Sequence, residues 1–213
     1  MFKSIRWRFI LIYFLLVFLA MSIVGIYIVN QLEGIQLNMN IKNMDARIRS
    51  IIQSYSSLNT GNWDENIEEI QKSIGTVQVG YNENIYVILN DVNRTIIAGS
   101  VEESIGISAF NYNKIDNYIL TKSMDGTPYH IAPAEQFEDT ENQRFYYHMS
   151  FPVQTEGSIK GYIYLVNNID YIYDTVDESK QIMTQATIIA LTLTIFLGLI
   201  LSTSITGPIK ELT

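Results

Sequence analysis

The 213-residue sequence contains no cysteine. A disulfide framework and a thiolate metal site are therefore both excluded. Charge is also missing from two long stretches, 9–29 and 181–209, which are largely apolar. About 20 apolar residues in a helix are enough to cross the roughly 30 Å hydrocarbon core of a bilayer. The sequence therefore predicts two transmembrane helices, at residues 9–29 and 184–205.

Charges at the ends of these stretches predict their orientation. Basic residues precede the first stretch and follow the second: Lys3, Arg6, Arg8 and Lys210. By the positive-inside rule both chain ends are then cytoplasmic. The first stretch is also too long for the apolar part of a cleaved signal peptide. We expect three parts outside the spans: a cytoplasmic N-terminus at 1–8, an extracytoplasmic domain at 30–181 and a cytoplasmic segment at 206–213.

The segment between the two spans is strongly acidic, with 21 acidic and 10 basic residues. A net charge of this sign argues against binding of nucleic acid or of anionic lipid by the domain as a whole. It suits solubility, or a cationic ligand.

Hydrophobic periodicity predicts an α+β domain in this segment. Apolar residues at spacings of three and four continue the first helix to Tyr55, and the same spacing resumes at Ile169 and continues into the second span. A short helix is expected from Asn62, as its N-cap, to Ile74. Six short runs have β-strand character: 85–89, 95–98, 118–123, 128–132, 144–153 and 159–166. We expect an antiparallel sheet of about five strands packed on the long N-terminal helix.

Turn residues predict how these strands pair. Asp125-Gly126 is a hairpin signal that would join 118–123 to 128–132. Pairing about the acidic loop would set His130 opposite His148, and the closing hairpin would set Tyr147 opposite Leu165. Since side chains alternate between faces, one face would be an apolar core of Leu120, Tyr129, Ile131, Tyr147, Met149, Phe151, Ile163 and Leu165. The other face would carry Thr121, His130, Arg144, Tyr146, His148, Lys160, Tyr162 and Tyr164.

This second face has three possible interpretations. It could be a partly solvated sheet face, which antiparallel sheets often have. It could line a small-molecule pocket, with Arg144 as an anion-binding fork and aromatic walls. It could also hold a metal or proton sensor built on the two histidines, although no carboxylate is placed beside them. We expect no metal and no cofactor, and the candidate ligand-binding residues are Arg144, Tyr146, His148, His130 and Tyr164.

Three stretches have sequence patterns that also occur in a known protein family: IYVILNDVNRTIIAGS at 85–100, FPVQTEGSIKGYIYLVNNI at 151–169 and SITGPIKELT at 204–213. Together they resemble the sensor half of a bacterial sensor histidine kinase with a PAS-like, Cache-type outer domain. The last stretch is similar to the start of a HAMP linker, in which Pro208 would open the first helix and Ile209 and Leu212 would be the first packing positions. The layout is most similar to the WalK-type kinases of Gram-positive bacteria.

The resemblance implies a function as well as a fold. The outer domain would sense a small molecule or a cell-envelope component at the bacterial plasma membrane. It would signal by helix displacement, in a parallel homodimer formed through the spans and the flanking helical seams, to a cytoplasmic kinase and its response regulator.

The sequence itself has no Gly-rich phosphate loop, and its two histidines lie on expected outer strands. We therefore expect no catalytic residue in this chain and an output module beyond Thr213. Two alternatives remain open: the sensor part of a chemoreceptor or cyclase receptor, and a membrane adaptor that does not signal.

Overall fold

The structure is a computed structural model that describes residues 5–59, 63–77, 80, 82–131, 138–139 and 144–211. The chain divides into two units, Leu37–Tyr171 and the combination of Met1–Gln36 with Ile172–Thr213, and each is described separately. The helices are α1 (Ile5–Ser54), α2 (Ser56–Asn59), α3 (Ile67–Gly75), α4 (Asn117–Lys122) and α5 (Asp170–Glu211). The strands are β1 (Glu83–Leu89), β2 (Ile96–Gly99), β3 (Tyr129–Ile131), β4 (Glu138–Asp139), β5 (Arg144–Thr155) and β6 (Ser158–Asn168).

The unit Leu37–Tyr171 is built on one antiparallel sheet with the strand order β2-β1-β6-β5-β3. The two-residue β4 pairs with β5 outside this order. The prediction of an α+β domain with about five antiparallel strands is therefore confirmed. The two central long strands, β5 and β6, form the closing hairpin at the positive-φ residues Glu156 and Gly157.

The end of α1 packs within its own domain. Met44, Ile48 and Ile51 are buried, and the Arg49 guanidinium lies 5.1 Å from the centre of the Phe151 ring on β5. At these three residues the apolar spacing of α1 thus reflects packing within the same chain. The prediction that this seam forms a dimer interface is wrong for these three residues.

Helix α4 replaces a predicted strand. Asp116 is its N-cap, and one carboxylate oxygen accepts the backbone N–H groups of Tyr118 and Ile119 at 2.8 and 3.0 Å. An N-cap of this kind satisfies donors that would otherwise be free in the first turn and so fixes a helix start. Gly126, at φ 92°, follows in the left-handed conformation. Asp125-Gly126 therefore ends a helical segment instead of closing a β-hairpin.

Helix α3 also begins later than predicted. The predicted N-cap, Asn62, lies outside the described residues, whereas the helix starts after Asn66. The buried Trp63 comes between these two positions, and its indole N–H donates to the carbonyl of Leu58.

In the other unit, α1 and α5 pack against each other in antiparallel directions. Gly198 lies beside Ile10, and Gly25 lies beside Met183. Both helices are long and apolar enough to cross a membrane, by length and composition. Because they are antiparallel, the beginning of α1 and the end of α5 lie at the same end of this unit.

Candidate ligand site

The pairing of β3 with β5 differs from the predicted pairing by one residue. His130 lies opposite Met149 and not opposite His148. Because side chains alternate, this shift moves His130 to the face opposite that of His148. There its ring stacks on the Tyr147 ring, with 6.1 Å between the ring centres. The predicted pairing of the two histidines is wrong, and His130 is separated from the other candidate residues.

The shift is accompanied by aromatic packing on the other face. Tyr129 pairs with Ser150, which in turn pairs with Tyr164, so these three residues share one face. The Tyr129 ring meets the Tyr118 ring of α4 edge-on, with 5.9 Å between centres. Tyr118 makes this contact from helix α4, whereas the sequence predicts a strand at 118–123.

The closing hairpin is shifted by an even number of residues. Tyr147 lies opposite Asn167, and Leu165 lies opposite Met149. A shift of two leaves every side chain on its predicted face. The buried side chains of Tyr147, Met149, Ile163 and Leu165 therefore confirm the predicted apolar core.

The second sheet face is also buried. Of its three possible interpretations, the partly solvated face is therefore wrong at Tyr162, Tyr164 and His148. Tyr162 and Tyr164 are 1% and 0% exposed, and His148 is 8% exposed. Helix α4 and the segment between β2 and α4 cover them. The cluster on this face contains Tyr86, Ile88, Ile96, Ala109, Ile115, Ile119, Leu120, Tyr162, Tyr164 and Val166. Thr121 and Leu120, expected on strands, belong to the covering helix.

A short chain of hydrogen bonds crosses this buried layer. The Tyr164 hydroxyl accepts the backbone N–H of Asp116 at 2.9 Å and lies 3.0 Å from Nδ1 of His148. The imidazole tautomer determines which of these two groups donates the proton of this bond. Tyr146 meets the His148 ring edge-on at 6.4 Å.

Burial governs the protonation of these groups. It lowers the pKa of His148 to about 4, against a smaller opposing effect of Asp116. It also raises the pKa of Tyr164 well above the usual range of a phenol. Loss of water around the charged form is the common cause. At neutral pH the His148 imidazole and the Tyr164 hydroxyl are therefore both uncharged.

The covering helix is fastened to the sheet at both of its ends. At its start, the Asp116 N–H is bound by Tyr164 of β6. At its end, the Ser123 and Ser150 hydroxyls share a buried hydrogen bond of 2.7 Å, and Ser123 also donates to the carbonyl of Leu120. A group that enters this layer must therefore displace α4 or approach it from the side.

An arginine that was not among the predicted site residues lies at this layer. Arg144 is the first residue of β5, and its side chain lies outside the described set. Arg94, in the turn between β1 and β2, holds its guanidinium 5.7 Å from the centre of the Tyr162 ring. The sequence pattern marks 90–94 only as a turn. Nothing in that pattern indicates that the side chain folds back over the sheet.

The remaining predicted residues are placed as follows. Pro208 and Ile209 lie within α5, but their side chains are not described, and Leu212 lies outside the described residues. Within the described part of the chain, no three His, Asp or Glu side chains are grouped so that they could hold a metal ion.

The chain is similar along its whole length to curated sensor kinases. It is 22% identical to the sensor protein kinase WalK of Staphylococcus aureus strain JH9, and equally to that of strain Newman, over 99% of this chain. The match spans 34% of those proteins, so this chain corresponds to about a third of their length. No protein-family model matches the chain.

Two solved structures align with part of this chain. The ligand-binding domain of the Pseudomonas aeruginosa PAO1 amino acid chemoreceptor PctC, in complex with GABA, aligns with a TM-score of 0.48 and 13% identity, over 72% of this chain and 62% of that one. The A. aeolicus nlh2 GAF domain in an inactive state aligns with a TM-score of 0.31 and 13% identity, over 76% of this chain and 93% of that one.

Proposed function

We propose that this chain is the sensing and transmembrane signalling part of a bacterial two-component sensor histidine kinase. The observation that carries the proposal is the similarity over 99% of the chain to a sensor kinase. The α+β unit between two long apolar helices supports it. The kinase, its response regulator and the phosphorelay would then lie outside this chain.

The proposed topology has two spans and an outer domain. Residues 9–29 and 184–205 cross the plasma membrane, 30–181 form a PAS-like, Cache-type domain outside, and 1–8 and 206–213 are cytoplasmic, the latter as the start of a HAMP linker. Basic residues outside both apolar stretches favour this orientation. The antiparallel packing of α1 and α5 also supports it, because that packing brings the beginning of α1 and the end of α5 to the same end of their unit.

The junction of the sheet with α5 provides a route for the signal. The Asp170 carboxylate accepts the Phe145 backbone N–H of β5 at 2.6 Å and the Asn168 side-chain amide at 2.9 Å. The backbone N–H of Ile169 donates to the carbonyl of Phe145. The first turn of α5 is thus bound to two adjacent strands. A change in the sheet would move this helix, which continues unbroken to Glu211.

The buried polar layer on the α4 side of the sheet is the proposed ligand site. Tyr146, His148 and Tyr164 lie together there and remain candidates, whereas His130 lies on the other face. The polar groups are few and the walls are aromatic, as is usual for small-molecule sites.

A parallel homodimer would give the moving helix a partner. Because Met44, Ile48 and Ile51 face their own domain, we place the contact instead near Ile35 and Met39, which are exposed on α1. Single cysteines at these two positions should form disulfides across the dimer in membranes. Equal crosslinking at every position from 30 to 43 would reject this interface.

A receptor chimera tests the proposed function. The chain is joined at its HAMP start to the cytoplasmic part of a characterised histidine kinase, and autophosphorylation is measured in membrane vesicles. Asp170→Ala should change the basal output severalfold, because it releases α5 from β5. Asp177→Ala is the matched control, since Asp177 lies on the same helix and its ion pair with Lys180 is exposed. Equal output from all three proteins would contradict the proposed route.

A further inference from the structure

The turn between β1 and β2 holds Arg94 in an unusual backbone conformation. Its φ is 51°, in the left-handed region that residues other than Gly, Asn and Asp seldom adopt. The Asp91 carboxylate is used inside the same turn, where it accepts the N–H and the hydroxyl of Thr95 at 2.9 and 2.6 Å. The nearest carboxylate in the sequence is therefore turned away from the guanidinium three residues later.

The contacts of the guanidinium leave one edge without a strong acceptor. Nη1 donates to the backbone carbonyl of Asp91. Nη2 meets only the Met124 thioether, at 4.0 Å, and Nε is buried with no hydrogen-bond partner in the described structure. The face of the group lies over Tyr162. A thioether is a weak acceptor, and a buried N–H of a charged group without a partner is costly.

The other arginines of the described domain are paired differently. Arg47 forms an ion pair with Glu83 at 2.9 Å, and Arg49 forms one with Asp45 at 2.8 Å. Arg94 forms no ion pair with any carboxylate in the part of the chain that the structure describes. The contrast suggests that the free edge of Arg94 is kept for an acceptor that the protein does not supply.

We propose that Arg94 binds the carboxylate of a small-molecule ligand through its Nε–Nη2 edge. This inference rests on the proposed sensory function and names the ligand class of that site. The two N–H groups on this edge match the two oxygens of a carboxylate in a bidentate pair. The acidic domain disfavours a doubly charged phosphate more strongly than a singly charged carboxylate.

The ligand reaches this edge by displacing Met124. A methionine side chain is flexible and can leave the guanidinium at little cost. Met124 belongs to the helical turn Ser123–Asp125, whose first residue is hydrogen-bonded to Ser150 of β5. Binding at Arg94 therefore acts on the end of α4 and on the strand that holds α5. The turn that carries Arg94 lies at the surface, where Val92 is 95% exposed.

The test measures carboxylate binding by the full chain in nanodiscs. Acetate, succinate and L-alanine are titrated, with sodium chloride at equal ionic strength as the reference. The readouts are the thermal midpoint and the Nε–H signals of the six ¹⁵N-labelled arginines. We expect a saturable rise in midpoint with at least one of the three probes, and a matching shift of the Arg94 Nε–H signal.

Variants separate recognition from folding. Arg94→Gln should abolish the response, and Arg94→Lys should weaken it by roughly tenfold or more, since a lysine cannot form the bidentate pair. Arg49→Gln is the matched control and should keep the response, because Arg49 also covers an aromatic ring but is paired with a carboxylate. An Arg94→Gln protein that folds and still responds would overturn the proposal, as would absence of response to all three probes in the wild type. Either result leaves the chimera test of the proposed function unaffected.

Discussion

His148 should make the unit Leu37–Tyr171 sensitive to acid. Its ring is buried, and Nδ1 lies 3.0 Å from the Tyr164 hydroxyl. A protonated ring would carry a charge away from water, which costs free energy. Replacing His148 with Gln, which cannot take up a proton, should therefore remove part of the acid sensitivity of the domain.

The size of the effect follows from the pKa. Burial lowers the pKa of His148 from 6.5 to about 4. As the pH falls below 6.5 the unfolded chain binds the proton first, so the folded state loses stability until the pH reaches about 4. One pKa unit corresponds to about 1.4 kcal/mol, which gives a loss of about 3 kcal/mol over this window. The stability that His148 contributes is fully present above pH 6.5.

Urea unfolding of the full chain in detergent measures this loss. Trp63 is buried in this unit, so its fluorescence reports unfolding of the unit. A Trp7→Phe background removes the only other tryptophan. Between pH 7 and 4 the free energy of unfolding should fall less in His148→Gln than in the parent, by about 3 kcal/mol. In His130→Gln the full decline should persist, because His148 is still present. An equal decline in the parent and in His148→Gln would refute the reasoning.

The remaining predictions concern packing on the two sheet faces. Tyr164→Phe should lower the free energy of unfolding by about 1–3 kcal/mol, because the buried Asp116 N–H and His148 lose their hydrogen bonds to this hydroxyl. Tyr147→Phe should be neutral or stabilising, since that buried hydroxyl has no partner in the described structure; a larger loss than in Tyr164→Phe would contradict the assignment. Gly161→Ala should cost about 1–3 kcal/mol or more, because its Cβ would overlap the Trp63 ring and the Ile88 carbonyl. A fully stable Gly161→Ala protein would show that Trp63 packs elsewhere. Urea titrations at pH 7 measure all three.

The sequence predicts the two apolar helices and most strands because their signals are local. The period of α1 and the alternation in β5 and β6 depend only on neighbouring residues. The register of paired strands depends on residues that are far apart in the sequence. The observed pairing of β5 with β6 differs from the predicted one by two residues, which leaves Tyr147 on its predicted face. The pairing of β3 with β5 differs by one residue, which moves His130 to the other face. That shift is accompanied by a contact of Tyr129 with Tyr118 of α4, which lies outside both strands.

The candidate site could be predicted only in part for a related reason. Tyr146, His148 and Tyr164 were found by alternation along strands that do exist. The cover of this face was missed because 118–123 has the apolar content of a strand, and its helical start depends on the side chain of Asp116. Arg94 was missed because its position over Tyr162 arises from a left-handed turn residue, which no hydrophobic pattern indicates.

Labelling of single cysteines in intact cells tests the central proposal, an outer domain between two spans, most directly. The sequence has no cysteine of its own, so there is no background reaction. Ser100→Cys, at an exposed position at the end of β2, should react with a membrane-impermeant maleimide. Ser4→Cys should react only after the cells are permeabilised. Protection of Ser100→Cys together with labelling of Ser4→Cys in intact cells would contradict the proposed topology and the receptor function with it.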